Sequence, residues 1–152
     1  MSDNLLGKML LVVDGSEPSI AAANYAVGLA AQTGGHVTAV YVVDTATMEY
    51  LSQMRIFVTE ERNEFEQDLE RTGHRYLDYV KTIGKNHGVD VEGVQLKGAF
   101  HQVILQRARE MAADVIVLGG WHQTVTRKDV SSKQRQLILD EADCPVIVVK
   151  RR

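Results

Sequence analysis

Asp114-Val-Ile-Val-Leu-Gly-Gly120, then Trp121-His-Gln-Thr-Val-Thr-Arg-Lys-Asp-Val130, then a helical stretch leading to Pro145-Val-Ile-Val-Val149, is the part of the chain whose reading decides the fold. It reads as a strand, a diglycine, a long polar loop, a helix and a last strand. A strand that ends in glycine, followed by a helix whose start is rich in Ser and Lys, supplies the parts of a phosphate-holding cleft. The loop between them contains no glycine. Whether the cleft still holds a nucleotide is therefore the central functional question.

The same alternation runs outward from this stretch. Lys8-Met-Leu-Leu-Val-Val13 is a short apolar run of the kind that marks a strand buried on both faces of a parallel sheet. Asp14-Gly15 ends it, Ser16 suits a helix N-cap, and Pro18 falls in the first turn, where its missing N–H does no harm. That helix is expected to stop at Gly34-Gly35. A second strand follows over 37–43. Residues 44–58 carry Met48, Tyr50, Leu51, Met54, Ile56 and Phe57, too apolar for a solvated loop, and read as a flap or short helix covering the core, the cleft or a partner. Thr59 opens a long helix with Glu60 and Glu61 in its first turn, which complements the helix dipole. Phe65, Leu69, Tyr76, Leu77, Val80 and Ile83 trace its apolar stripe, and Gly88 stops it. A less apolar third strand over 89–96 is expected near a sheet edge, and a helix over 100–111 precedes the opening stretch. The βαβαβαβαβ pattern implies an α/β fold, a parallel sheet with helices on both faces. Ligands of such sheets bind beyond the carboxyl ends of the strands, at the switch in strand order.

Composition narrows the function classes. The chain has 152 residues, 45% apolar and 24% charged, with a net charge of −3, which fits one domain over 1–152 with a sizeable core. Acids and bases are interspersed, which argues against duplex nucleic acid as a partner. No run approaches the roughly 18 apolar residues of a membrane span, and the N-terminus lacks the features of a signal peptide. The single cysteine, Cys144, permits no internal disulfide and fits a reducing cytoplasm. His36, His74, His87, His101 and His122 show no paired ligand spacing, so no metal site is expected. Neither a Walker motif, a Gly-x-Gly-x-x-Gly fingerprint nor a Gly-x-Ser-x-Gly elbow is present.

Leu10-Leu-Val-Val-Asp-Gly-Ser-Glu-Pro-Ser19, the Gly98 turn, Ala113-Asp-Val-Ile-Val-Leu-Gly119 and Cys144-Pro-Val-Ile-Val-Val149 together resemble the universal stress protein family, in order and over essentially the whole chain. The resemblance implies a single open five-stranded parallel sheet of order 3-2-1-4-5, Rossmann-like and akin to the adenine nucleotide alpha hydrolases. It also implies a homodimer paired through the last strand, Val146, Ile147, Val148 and Val149. One branch of the family binds ATP and another, UspA-like, does not. ATP-binding members carry Gly-x2-Gly-x9-Gly-(Ser/Thr) after the fourth strand. In this register the four positions are Gly119, His122, Ser132 and Lys133, so only the first glycine is kept. The family's ribose and adenine contacts map to Asp14 and Val42.

Loop glycines matter because they reach φ > 0 and bring backbone N–H groups close to phosphate oxygens. An ordinary residue forced into that region costs about 1–2 kcal/mol, so two replacements weaken such a site by roughly tenfold to several-hundredfold. Arg127, Lys128, Lys133 and Arg135 offer side-chain cations in exchange, or form a solvated basic loop. Trp121 either stacks on a base or plugs the cleft. The sequence thus points to a non-catalytic, homodimeric stress-response domain of the cytoplasm, with weak or no ATP binding and an unnamed protein partner. Two alternatives remain: an ATP- or AMP-binding switch that uses the cleft, and a slow ATPase or nucleotidyl transferase.

Overall fold

The computed structural model of the protein describes residues 4–54, 59–120 and 130–150. Among these, five strands and five helices alternate: β1 (Lys8–Val13), α1 (Glu17–Thr33), β2 (His36–Asp44), α2 (Thr45–Gln53), α3 (Thr59–Asn86), β3 (Val91–Gly98), α4 (Phe100–Glu110), β4 (Val115–Gly119), α5 (Val130–Glu141) and β5 (Val146–Val149). The strands form one parallel sheet in the order β3-β2-β1-β4-β5. This is the order and architecture that the family resemblance implied.

Strand periodicity divides the core in two. Met9, Leu11, Val13, Val37, Ala39 and Val43 face one side and pack against the alanine-rich face of α1 and against Leu77, Val80 and Ile83 of α3. Leu10, Val12, Val40, Val42, Ile116 and Leu118 face the other, against Ile104 and Ala108 of α4 and Ile138 of α5. Successive strand–helix–strand crossovers are right-handed almost without exception. Reversing the direction of strand addition after β3 therefore moves α4 and α5 to the second face. The reversal leaves a crevice where β1 and β4 diverge.

The local signals hold in detail. Ser16 caps α1 by accepting the Ser19 N–H at 3.3 Å, and Gly34 closes the helix at φ 73°, its N–H donating to Ala30 O. The less apolar third strand is indeed an edge. Within the 44–58 segment α2 forms, its Met48 fully buried in the first core and its Tyr50 exposed, as is Met54 just after the helix; residues 55–58, with Ile56 and Phe57, lie outside the described set.

One expected core residue is not in the core: Phe65 is 42% exposed. The reason is length. A 28-residue helix extends about 42 Å, whereas the eight residues of β3 span only about 26 Å. The amino-terminal part of α3 therefore overhangs the sheet, and its stripe is buried only from Leu69 onward.

Candidate functional site

Beyond the carboxyl ends of β1 and β2 lies a cleft of about 240 Å³, bounded by Asp14, Tyr41, Val42 and Asp44 on the strand side and by Phe100, Gln134 and Arg135 on the side of α4 and α5. Its position at the turn in strand order is the place where such sheets bind ligands.

The strand-side wall is tied to itself. Asp14 accepts the Ser16 N–H (2.9 Å) and the Ser16 hydroxyl (2.6 Å) through Oδ1, while its own N–H donates to Ser19 Oγ (3.0 Å). This is an Asx-type turn, in which a short polar side chain substitutes for a missing backbone partner. Gly15 follows at φ 82°, with the Tyr76 ring of α3 against the place a Cβ would occupy. Only glycine meets both demands. Tyr41 sits beneath; burial, and then the neighbouring Tyr76, raise its hydroxyl pKa above the ordinary tyrosine value.

Gly119 stands behind this wall for a separate reason. A Cβ there would lie 2.5 Å from the carbonyl carbon and 2.6 Å from the oxygen of Pro18, so the first turn of α1 closes directly onto β4. The backbone at Gly119 is not left-handed. Its side-chain hydrogen is required by helix–strand packing whether or not a ligand is bound.

The helix-side wall carries the cation. Arg135 lies on the same face of α5 as Ile138, three residues on, and is only 7% exposed. Its guanidinium pairs with Asp14 Oδ2 and lies 5.9 Å from the centre of the Phe100 ring, within the range of a cation–π contact. Burial depresses its pKa, yet a guanidinium keeps its charge in proteins. Beside it, Gln134 Oε1 accepts the His101 N–H (3.2 Å) and a donor at His101 Nδ1 (2.6 Å), locking α5 to the start of α4. Ser132 lies in the first turns of α5 with an enclosed Oγ that has no hydrogen-bond partner among the described residues. Lys133 is exposed.

A sequence model of the universal stress protein family matches residues 6–150. The chain belongs to that family. Universal stress protein MJ0531 of Methanocaldococcus jannaschii is 29% identical to it, over 98% of this chain and 85% of the relative. The fold matches the solved structure of hypothetical protein MJ0577 with a TM-score of 0.79 at 21% identity, over 97% of this chain and 98% of the other. It also matches a universal stress protein from Archaeoglobus fulgidus in complex with dAMP, at a TM-score of 0.64 and 19% identity, covering 94% and 97%.

Against this universal stress protein frame the sequence-derived residues separate. Asp14 and Val42 meet in the cleft. Gly119 backs it without being among the side chains that line it. Ser132 and Lys133 belong to the opening of α5, and His122 lies outside the described residues, as do Trp121, Arg127 and Lys128. The sequence reading placed Arg135 in a basic loop; it is a buried cleft residue. Its spacing from Ile138 was the signal that identifies it, since a charge in step with an apolar helix face is turned inward. Phe100 and Gln134 carried no comparable signal, because their place in the cleft depends on how α4 and α5 come together. Among the described residues, no helix is long and apolar enough to cross a membrane.

Proposed function

We propose that this universal stress protein is a non-catalytic regulatory domain that works as a homodimer, binds ATP weakly or not at all, and acts through a protein partner in the cytoplasm. The observation that carries the nucleotide part is the start of α5 at Val130. Position 132, where the ATP-binding motif has its third glycine, is already inside an ordinary helix and is occupied by Ser132. The first-turn N–H groups of α5 remain open to an anion, but position 132 lacks the left-handed turn by which a glycine loop wraps N–H groups around a phosphate.

Charge agrees: among the described residues, Asp14 and Asp44 outnumber Arg135 in the ionisable lining of the cleft apart from Tyr41, a poor setting for a triphosphate. Asp14 is engaged by Ser16 and Arg135, which speaks against its serving as the base of an ATPase or nucleotidyl transferase. The decisive experiment is to denature the purified protein, look for released nucleotide, and titrate the apo form with ATP and AMP by calorimetry. We expect no stoichiometric nucleotide and no ATP affinity tighter than about 100 μM, equivalent to roughly −5.5 kcal/mol; tight binding would sink the reading. A monophosphate switch is the second reading, favoured by the dAMP complex of the Archaeoglobus relative, and AMP binding in the same titration would select it.

The dimer reading rests on β5. It is the outer strand next to β4, its four apolar residues are only half-buried, and Pro145 O and Val149 O both turn toward β4. By the alternation of a parallel ladder, the N–H groups of Val146 and Val148 point to the open side. An apolar strand with outward donors pairs readily with a second copy. Val148→Pro removes an outward donor and leaves the β4–β5 ladder intact. It is expected to weaken self-association at least tenfold by analytical ultracentrifugation without lowering helix content; an unchanged dimer would exclude β5 as the interface.

A further inference from the structure

We infer that Arg135 is the specificity-determining residue of the cleft: by holding the Asp14 carboxylate, it excludes ligands that present a vicinal diol, ribonucleosides above all. The inference deepens the proposed weak nucleotide binding and rests on that reading, but concerns the sugar rather than the phosphates. A carboxylate at the end of a strand beside the switch point is well suited to accept both hydroxyls of a ribose, one to each oxygen or both to one. Here both Asp14 oxygens are already engaged. Oδ1 takes the N–H and hydroxyl of Ser16, and Oδ2 takes the guanidinium.

Displacing the guanidinium is unfavourable on both sides of the exchange. The incoming hydroxyls offer hydrogen bonds charged only at the acceptor, weaker than the guanidinium–carboxylate pair, which is charged on both sides. Arg135 would be left 93% buried with a full positive charge and without its carboxylate. Phe100 holds one face of the guanidinium and the neighbouring Gln134 is committed to His101, while Asp44 is the second carboxylate that lines the cleft. The head group also forms part of the wall of a cleft of about 240 Å³. A long cationic side chain would ordinarily carry its charge out to water. This one is turned into the site because its position on α5 is in step with Ile138.

Adenosine is the probe, since it has the diol and no phosphate and is blind to the loop glycines. Calorimetry of the wild-type protein should not distinguish adenosine from 2′,3′-dideoxyadenosine. Arg135→Ser, which frees both the carboxylate and the space, should bind adenosine at least tenfold more tightly than the wild type and leave dideoxyadenosine unchanged. Adding Asp14→Asn to that variant should abolish the gain. Arg135→Met, which keeps the contact with Phe100, decides the matter should the serine variant fail to fold; a gain of threefold or more for adenosine is expected. No gain in a folded Arg135 variant overturns the inference, and so does a tenfold preference of the wild type for adenosine over its dideoxy analogue. If the wild type carries tightly bound ATP, the regulatory reading falls first. If it binds no ATP and the Arg135 variants gain nothing, only the role of Arg135 falls.

Discussion

The two walls of the cleft are built on different principles. On the strand side, Asp14, Gly15, Ser16 and Ser19 satisfy one another, and Gly119 and Tyr76 close against them from β4 and α3. Each of these residues has a reason to be present in a protein with no ligand. On the helix side, the arrangement depends on an ion pair across the gap, on one ring contact and on a serine whose hydroxyl has no partner among the described residues. On the proposed reading the binding motif is lost unevenly: residues that also serve packing are kept, and those that served only the ligand are open to replacement.

The comparison breaks most readily at Gly119. Gly119→Val pushes the first turn of α1 off β4, and overpacking of this kind costs roughly 3 kcal/mol. Thermal unfolding should fall by about 10 °C; a wild-type melting temperature would show that the glycine is not held by packing.

The next effect tests the asymmetry of the ion pair. Asp14→Asn takes the Asp14 carboxylate away from a buried guanidinium and is expected to destabilise by about 2 kcal/mol, less than a fully buried pair because a quarter of the Asp14 side chain is exposed. Arg135→Met leaves a carboxylate that water can reach, and should cost under about 1 kcal/mol. Denaturant titrations of both variants measure the difference, and equal losses would contradict the assignment of the two walls.

Ser16→Ala removes the α1 cap and one partner of Asp14, for about 1 kcal/mol. Lys133→Ala, on the exposed start of the opposite wall, should leave the melting temperature unchanged.

The smallest effect appears only in alkali. Burial raises the Tyr41 pKa in the folded state, so the folded protein holds that proton more tightly than the unfolded chain does. Stability contributed by the neutral phenol is complete below the unfolded value of about 10 and declines as pH climbs from there toward the higher folded value. Tyr41→Phe should flatten the decline in unfolding free energy between pH 9.5 and 11, windows on either side of the ordinary tyrosine value; an unchanged slope assigns the loss to other groups.

Much of this was legible in the chain. Unbroken runs such as Met9–Val13 can only be strands covered on both faces, and Ser16, Pro18 and Gly34 mark the ends of α1 by local chemistry alone. Asp14 was legible as a cleft residue because it follows the end of the first strand, and Val42 through the family resemblance. The rest depended on tertiary distance. Phe65 continues the α3 stripe in sequence, yet the helix outruns the sheet beneath it. Arg135 looks like one more base in a polar stretch until α5 is seen to begin at Val130, which places it opposite Asp14. Gly119 was read as a phosphate residue, and its contact with Pro18 is invisible in a sequence that separates them by a hundred positions.

That contact has an evolutionary consequence. Because Pro18 and the first turn of α1 lean on Gly119, selection for a stable fold is enough to preserve the glycine in a lineage that has abandoned nucleotides. A scan that scores this position as evidence of ATP binding will therefore count descendants that bind nothing, and the informative positions for sorting such lineages are those opposite it, where α5 decides which side chain reaches the carboxylate of Asp14.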